Sequence, residues 1–433
     1  MGGGVTGSAI FYTLSRYSDL GSIALIDKCS TLGQINSRED NNSQTLHFGD
    51  IEANYSFEKA KSTKAASMLL VNYLKNVDSE GKKIYKTAPK LLLAVGDKEI
   101  KIFNERFEKF KEIFPEFKKI TREEIALVEP EIVKGRKSEE EIIAGYSKNG
   151  FIVDFGKLAE SFVDQAKIDN KKNLQVFLNT KVYEITKQDN GFIISTDKEN
   201  IEAEVVIVAM CSHSLMFAKA LGYGKEYSIL PVGGNFYTSD RKVLNNKVYT
   251  MQDDSMPFAG VHGDPNIHDE SQTRFGPTSN IMPFLERNNL ESFFDFIRSS
   301  TNDFKSVFSL IKVISDKILF TFLAKSLIYE IPFFGQRAYV KLCRKIIPSL
   351  KLEDFKNGKS KAGIRPQLVD SQTGKFKMGE AEIIGEKIIF NISPSPGASV
   401  CLANAAKNAE IAINFFKDKF SFDKERFERD FID

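Results

Sequence analysis

A chain of 433 residues with a formal net charge of +2 has no electrostatic excess to draw in a polyanion, so nucleic acid is not an expected partner. Its 42% hydrophobic and 27% charged residues fit a soluble globular chain, and its length suggests roughly two to three domains. The four cysteines, Cys29, Cys211, Cys343 and Cys401, form no C-x-x-C pair or cysteine–histidine cluster, which argues against a dithiol centre, an iron–sulfur cluster or another metal site, and no apolar run reaches the ~18–20 residues of a membrane span.

The chain opens on Gly2-Gly3-Gly4-Val5-Thr6-Gly7 and runs straight into a helix-compatible stretch from Ser8. In this G-x-G-x-x-G pattern Gly2 permits a tight turn, Gly4 lets the backbone approach a pyrophosphate, and Gly7 lets the helix pack close to a sheet. The new helix N-terminus, with Val5 and Thr6, offers N–H groups to phosphate. The apolar run 22–26 ends in Asp27, about 20 residues beyond Gly7, where a carboxylate reaches a ribose hydroxyl; Lys28 follows it. Only Met1 precedes the pattern. The strand of about 5–6 residues that ordinarily feeds this turn is missing, and the expectation is a chain that starts late and binds its cofactor less well.

A long polar loop, 30–54, comes next and contains Ser43, Gln44, Thr45 and His47. Loops of this length in a compact domain are usually functional. Ser56 is a helix N-cap, 90–95 a buried strand, Thr121 to Glu124 a capping box, and Asp154 another N-cap. Strands follow over 176–178 and from Val182 to Thr186. Asn190-Gly191 is a hairpin turn, and 205–209 reads as a strand covered on both faces. The segment 228–283 is strand-rich and 285–350 helical. Strand 387–392, the turn Pro396-Gly397-Ala398-Ser399 and a helix from Val400 make a third strand–turn–helix unit. One dinucleotide fingerprint without a second fits a tightly held FAD, reduced by an organic substrate and reoxidised by something other than NAD(P).

Four stretches carry a resemblance. They are the Gly2–Gly7 fingerprint with Asp27, the loop from Asn42 to Tyr55, and the segment Phe258-Ala259-Gly260-Val261-His262-Gly263-Asp264-Pro265 with Thr273-Arg274-Phe275-Gly276-Pro277. The fourth is Gly363-Ile364-Arg365-Pro366-Gln367 with Ser395 to Ser399. Through nearly its whole length the chain resembles the FAD-dependent malate:quinone oxidoreductases, within the flavoenzymes built like D-amino-acid oxidase. The resemblance implies FAD as cofactor, (S)-malate as substrate, oxaloacetate as product and a membrane quinone as acceptor. It also implies a cytoplasmic location, peripheral on the inner face of the cytoplasmic membrane. Oxidising a secondary alcohol needs a base, and an imidazole suits that role; His262 is the first choice and His47 a second contributor. A dicarboxylate needs fixed cations; Arg365 is the first choice and Arg274 the second. Gly2, Gly4, Val5, Thr6, Gly7, Asp27, Lys28, Ser43, Gln44, Thr45, Val182, Pro396, Gly397, Ala398 and Ser399 are expected to hold the cofactor. Where relatives carry Ala-Gly after the 205–209 strand, this chain reads Met210-Cys211-Ser212.

The expected architecture is an α/β, Rossmann-like FAD-binding domain from 1–85, 150–218 and 356–433, and an α+β substrate domain from 86–149 and 219–355 with a mainly antiparallel sheet. Within 304–347, Phe308, Ile311, Phe320, Leu323 and Leu327 alternate with Lys312, Lys317 and Lys325. This pattern fits a basic amphipathic surface on a bilayer, or helices packed on the substrate domain or a second subunit. Two other functions remain open: a 2-hydroxyglutarate-type dehydrogenase, and a catalytically silent flavoprotein fold serving as an interaction module.

Overall fold

The computed structural model describes residues 1–168, 171–252, 260–301, 304–331, 334–355, 359–377 and 381–432. Phe258 and Ala259 of the histidine segment lie outside this set.

The fingerprint leads into the helix Val5–Tyr17, buried along most of its length. Gly7, Ser8 and Ala9 are small enough to let it sink between the helices Phe155–Lys167 and Cys401–Asn414. Asp154 caps the first of these by accepting from Lys157 N–H, and Ser56 caps the helix Phe57–Val77 in the same way. Each such cap contributes about 1 kcal/mol. Tyr12, Tyr17, Tyr73, Phe162 and Phe431 meet edge-on or tilted, with ring centroids 4.5–6.5 Å apart, and close this core.

Two parallel strand pairs flank the fingerprint. Ser22–Ile26 pairs with Asn173–Phe177, and Val206–Val208 with Ile388–Ile392. The β-branched content of the second pair suits its burial, complete along Ile388–Ile392, whereas the first pair keeps exposed positions. Their side chains share one core, and main-chain hydrogen bonds of Met1 and Gly2 bridge the two pairs. Gly2 N–H donates to Ile26 O at 2.8 Å, the Met1 amino group donates to Ile207 O at 2.7 Å, and Ala209 N–H donates to Met1 O at 2.8 Å. Two residues therefore stand where the sequence pattern calls for a full strand.

The second part is a larger, mainly antiparallel eight-stranded sheet. Its order is Lys359–Lys361, Asn235–Ser239, Thr273–Gly276, His262–Pro265, Lys247–Thr250, Lys90–Val95, Ile142–Ser147 and Lys118–Ile120. Only the Lys247–Thr250 and Lys90–Val95 neighbours run parallel. A four-stranded sheet holds Tyr227–Gly233 against Arg365–Asp370. Strands at 359–377 thus pair within these two antiparallel sheets, whereas the sequence reading returned the chain to the parallel unit at 356. The partners of Lys359–Lys361 and Arg365–Asp370 across the sheets lie more than a hundred residues away, beyond what a local pattern reveals. The chain rejoins the parallel strands at Ala381–Gly385.

The helices Phe304–Ile314 and Lys317–Ile328 press Leu310, Val313, Leu319 and Leu323 onto Leu230, Val232 and Val369 of the four-stranded sheet. Each fully buried side chain of this size contributes roughly 1.5–3 kcal/mol. The opposite side is open: Phe304 is 95% exposed, Phe308 69% and Phe320 59%. The inner face packs on the substrate-side sheet, as one of the two readings of this segment expects, and the outer face is left apolar and exposed.

Candidate active site

A cavity of about 600 Å³ runs from the fingerprint to the large sheet. At the fingerprint end its wall is mostly main chain. Gly2 has φ +99°, and a Cβ there would stand 2.4 Å from Ala209 O; a Cβ on Gly7 would stand 1.8 Å from Gly2 O. Only glycine allows the turn, the strand and the helix to cross so closely. The helix Val5–Tyr17 starts at Gly4, and although Ser37 Oγ accepts from Val5 N–H at 3.0 Å, no acid of its own first turn offsets its positive end at the cavity. Gly2, Gly4, Val5 and Thr6 line the wall, with Gly7 packed behind. The Asp27 carboxylate lines it too, and is fixed by Gly3 N–H at 2.5 Å and Cys29 N–H at 2.7 Å. Lys28 lines it while paired to Glu286, and Val182 lines it beside Lys181. These groups fit the pyrophosphate and ribose of a dinucleotide such as FAD.

Pro396, Gly397, Ala398 and Ser399 line the cavity ahead of a second helix with no side-chain cap, Cys401–Asn414. Ser399 Oγ accepts from His47 N–H at 2.9 Å, tying this turn to the polar loop. Met210, Cys211 and Ser212 also line the wall. Cys211 has φ +53°, the backbone region that glycine would occupy without cost. Asn36, which the sequence reading passed over, donates to Cys211 Sγ at 3.3 Å and to Ile364 O at 3.0 Å. It joins the loop to the Arg365 segment.

At the other end the wall is charged and aromatic. His262 and Asp264 are two residues apart on one strand, so they share a face, and Lys247 and Tyr249 do the same on the next strand. Register sets Tyr249 opposite His262. The two rings stack at 4.4 Å with planes 4° apart. Asp264 accepts from His262 Nδ1 at 2.6 Å and faces Lys247 Nζ at 2.9 Å. All three are buried. Burial works against ionisation of Asp264, but Lys247 and His262 together outweigh it and hold the carboxyl well below the usual range. Burial also pushes the His262 imidazole below its ordinary value, against the pull of Asp264. A largely neutral ring that donates through Nδ1 leaves Nε2 as an acceptor toward the cavity.

His47 lines the cavity with its Nδ1 2.5 Å from Glu52 Oε1, and Glu52 also accepts from Gly49 N–H at 2.7 Å. Burial of Glu52 works against its charge, but His47, Lys90 and the Gly49 N–H together outweigh it and keep that carboxylate below its ordinary value. Thr45 and Ser43 line the wall, and Thr45 Oγ1 lies 2.9 Å from the Tyr249 hydroxyl. Arg365 lines it as well. Its Nη2 is buried and has no hydrogen-bond partner among the described residues, a donor waiting for an acceptor.

Two expected residues stand elsewhere. Arg274 is not part of the wall. It donates to Asp40 O at 3.2 Å and Asn42 O at 3.3 Å and lies over the Phe236 ring at 4.4 Å, so it holds the polar loop. Its strand sets it across from Asp264, on the face that also carries His262, but its head group is taken up by the loop carbonyls. Gln44, at φ +55°, donates to Glu39 O and accepts from Ile267 N–H; it too braces the loop. Sequence reasoning overlooked Lys247, Tyr249 and the role of Asp264. The available signal was polar residues at every second position in two otherwise apolar strands.

The family model for malate:quinone oxidoreductase matches residues 1–426. A malate:quinone oxidoreductase from Helicobacter pylori is 40% identical, with 99% of this chain and 96% of the relative covered. A probable malate:quinone oxidoreductase from Campylobacter jejuni is 36% identical, with 98% and 96% covered. Among solved structures, glycine oxidase from Geobacillus kaustophilus superposes with a TM-score of 0.65 at 16% identity, covering 98% of this chain and 96% of that one. An L-alpha-glycerophosphate oxidase from Mycoplasma pneumoniae with FAD bound gives 0.66 at 18% identity, covering 97% and 94%. These two likenesses speak for the fold. The chain belongs to the malate:quinone oxidoreductase family.

Proposed function

We infer that this chain oxidises (S)-malate to oxaloacetate at a bound FAD and passes the electrons to a quinone. The observation that carries the site assignment is the convergence, on one cavity wall, of an imidazole with a free Nε2 and a buried guanidinium with an unsatisfied Nη2. FAD, when bound, supplies the acceptor for the hydride that leaves the alcohol carbon. Gly2, Gly4, Val5, Thr6, Asp27 and the 396–399 turn would hold it. Arg365 receives one substrate carboxylate through its planar fork. His262 Nε2 takes the hydroxyl proton, and Asp264 fixes the tautomer. The two Ser/Thr hydroxyls and His47 offer polar contacts to the remainder of the substrate.

Among the described residues no helix is long and apolar enough to cross a membrane. We place the membrane contact, on the inner face of the cytoplasmic membrane, at Phe304, Phe308 and Phe320 with Lys317 and Lys325. Exposed aromatic side chains beside lysines suit an anionic lipid surface, where a lipid-soluble quinone is found. Binding to anionic vesicles should fall when these three phenylalanines become serine. Unchanged partitioning would rule out this surface.

The deciding experiment for the reaction is an anaerobic titration of the flavoprotein followed by absorption. Malate should bleach the oxidised-flavin band, and lactate or glycerol 3-phosphate should not. A band indifferent to malate would reject the reading.

A further inference from the structure

The reaction assigned above uses His262 and Arg365, and it leaves a fully buried lysine unexplained. Lys247 has no exposed side-chain surface, and its Nζ sits 2.9 Å from Asp264 Oδ1. A lysine buried this completely is costly unless it is compensated. Register makes the arrangement specific. Tyr249 and His262 are directly opposite, which sets Lys247 opposite Asp264. On the other flank Arg274 is the cross-strand partner of Asp264.

We propose that Lys247 is a positioning residue of this reaction: by neutralising Asp264 behind the ring, it lets His262 keep its Nδ1 hydrogen bond while remaining an uncharged base. The proposal rests on His262 being that base. Without Lys247, the buried Asp264 charge would have the imidazole as its nearest cation and would draw a proton onto Nε2. With Lys247 present, the carboxylate can orient the ring without charging it.

The other groups around His262 leave this role to Lys247. Tyr249 stacks on the ring, and burial keeps its phenol neutral by raising it well above the ordinary value. His47 is paired with Glu52 at 2.5 Å, and its field acts on His262 in the same direction as that of Lys247 but more weakly. Arg274 donates to loop carbonyls, which leave its charge in place, and it supports the Asp264 carboxylate from across the strands without pairing to it directly. Arg365 faces the cavity and adds positive potential, in the same direction as Lys247. Among the described residues, Lys247 is the one lysine or arginine in an ion pair with the acid that holds the ring.

The test is the pH profile of kcat/KM for malate in the FAD-loaded enzyme, with flavin content read by absorbance. Lys247→Met removes a positive charge that opposes protonation of His262. The acid limb should therefore move up by about one pH unit or more, with activity recovered at high pH and flavin content retained. Lys247→Met combined with Asp264→Asn removes both charges, and its limb should not rise above the wild-type position. Asp264→Asn alone should lower kcat by roughly 10²-fold or more at every pH, because an amide can donate to Nδ1 and turn Nε2 into a donor. An unmoved limb in flavin-loaded Lys247→Met would overturn the proposal. If that variant does not fold, a raised limb in the double variant, or wild-type kcat in Asp264→Asn, would overturn it instead. His262→Gln separates the two levels: full activity there sinks the assignment of the base, whereas lost activity with an unmoved Lys247→Met limb sinks only the role of the lysine.

Discussion

Between Gly2 and Gly7 the cavity wall is backbone, and what it offers a ligand is N–H groups, a helix dipole and closeness. Around His262 the wall is side chain, with Tyr249 stacked over the imidazole and Arg365 in the lining, and behind it Lys247 and Asp264 hold their charges out of water. The first kind of wall tolerates no added atom but little depends on any one charge. The second accepts isosteric changes in shape but no change in charge balance. Each kind therefore fails in its own way, and substitutions can show which.

The largest effect is expected where buried charge is stranded. Lys90 and Asp50 form a second fully buried pair, 2.8 Å apart, with Lys90 over the Phe48 ring at 4.1 Å. Lys90→Met should cost about 3–5 kcal/mol of stability, read as a fall in Tm or in the denaturant midpoint. His262→Gln should lower kcat by roughly 10²–10⁴-fold with flavin retained; a small loss would shift the base to His47. Arg365→Met should reduce kcat/KM for malate by roughly 10–150-fold, as expected for losing about 1.5–3 kcal/mol of charged hydrogen bonding, with the malate KM rising most.

At the fingerprint end the signature is different. Gly7→Ala puts a methyl group onto the Gly2 carbonyl. It should yield protein with little flavin and a stability loss of about 1–3 kcal/mol, while leaving the pH profile of the residual activity in place. Lys28→Met breaks the half-exposed pair with Glu286 and should change stability by no more than about 1 kcal/mol. A Lys28 effect as large as that of Lys90 would erase the contrast between the two ends.

The wild-type pH dependence follows from the same contrast. Burial disfavours charged His262. The ring therefore stays neutral, and active as a base, to below the ordinary imidazole value of about 6.5. On unfolding it gains a proton as pH falls below that value, so its contribution to stability is intact above it and lost on acidification.

How much of this the sequence carried depends on the range of the physics involved. G-x-G-x-x-G followed by Asp27 works because turn, phosphate contact and ribose contact are met within some thirty residues, so the pattern announces its own geometry. The capping residues Ser56, Thr121 and Asp154 are local in the same sense, and all three cap as read. His262 and Arg365 were legible only as chemistry: a base and a fork in loops of the right composition. Arg274 has the same chemistry, and nothing in its neighbours reveals that its guanidinium is turned onto Asp40 and Asn42.

Met1 and Gly2 show the same limit. The sequence shows only a fingerprint close to Met1, and the fold shows Met1 and Gly2 bridging Ile26 to Ile207 and Ala209. Lys247 shows it most fully. In the chain it is one lysine among 60 basic residues, ahead of an ordinary strand. Strand register sets it across from Asp264, and burial gives that one contact its weight. By itself the sequence determined the cofactor loop, the helix caps and the residue types that reaction chemistry requires, since those depend on short spacings. The tertiary structure decided which cations face the cavity and which acid sits behind the base, because pairing across a sheet and exclusion of water are properties of the assembled fold.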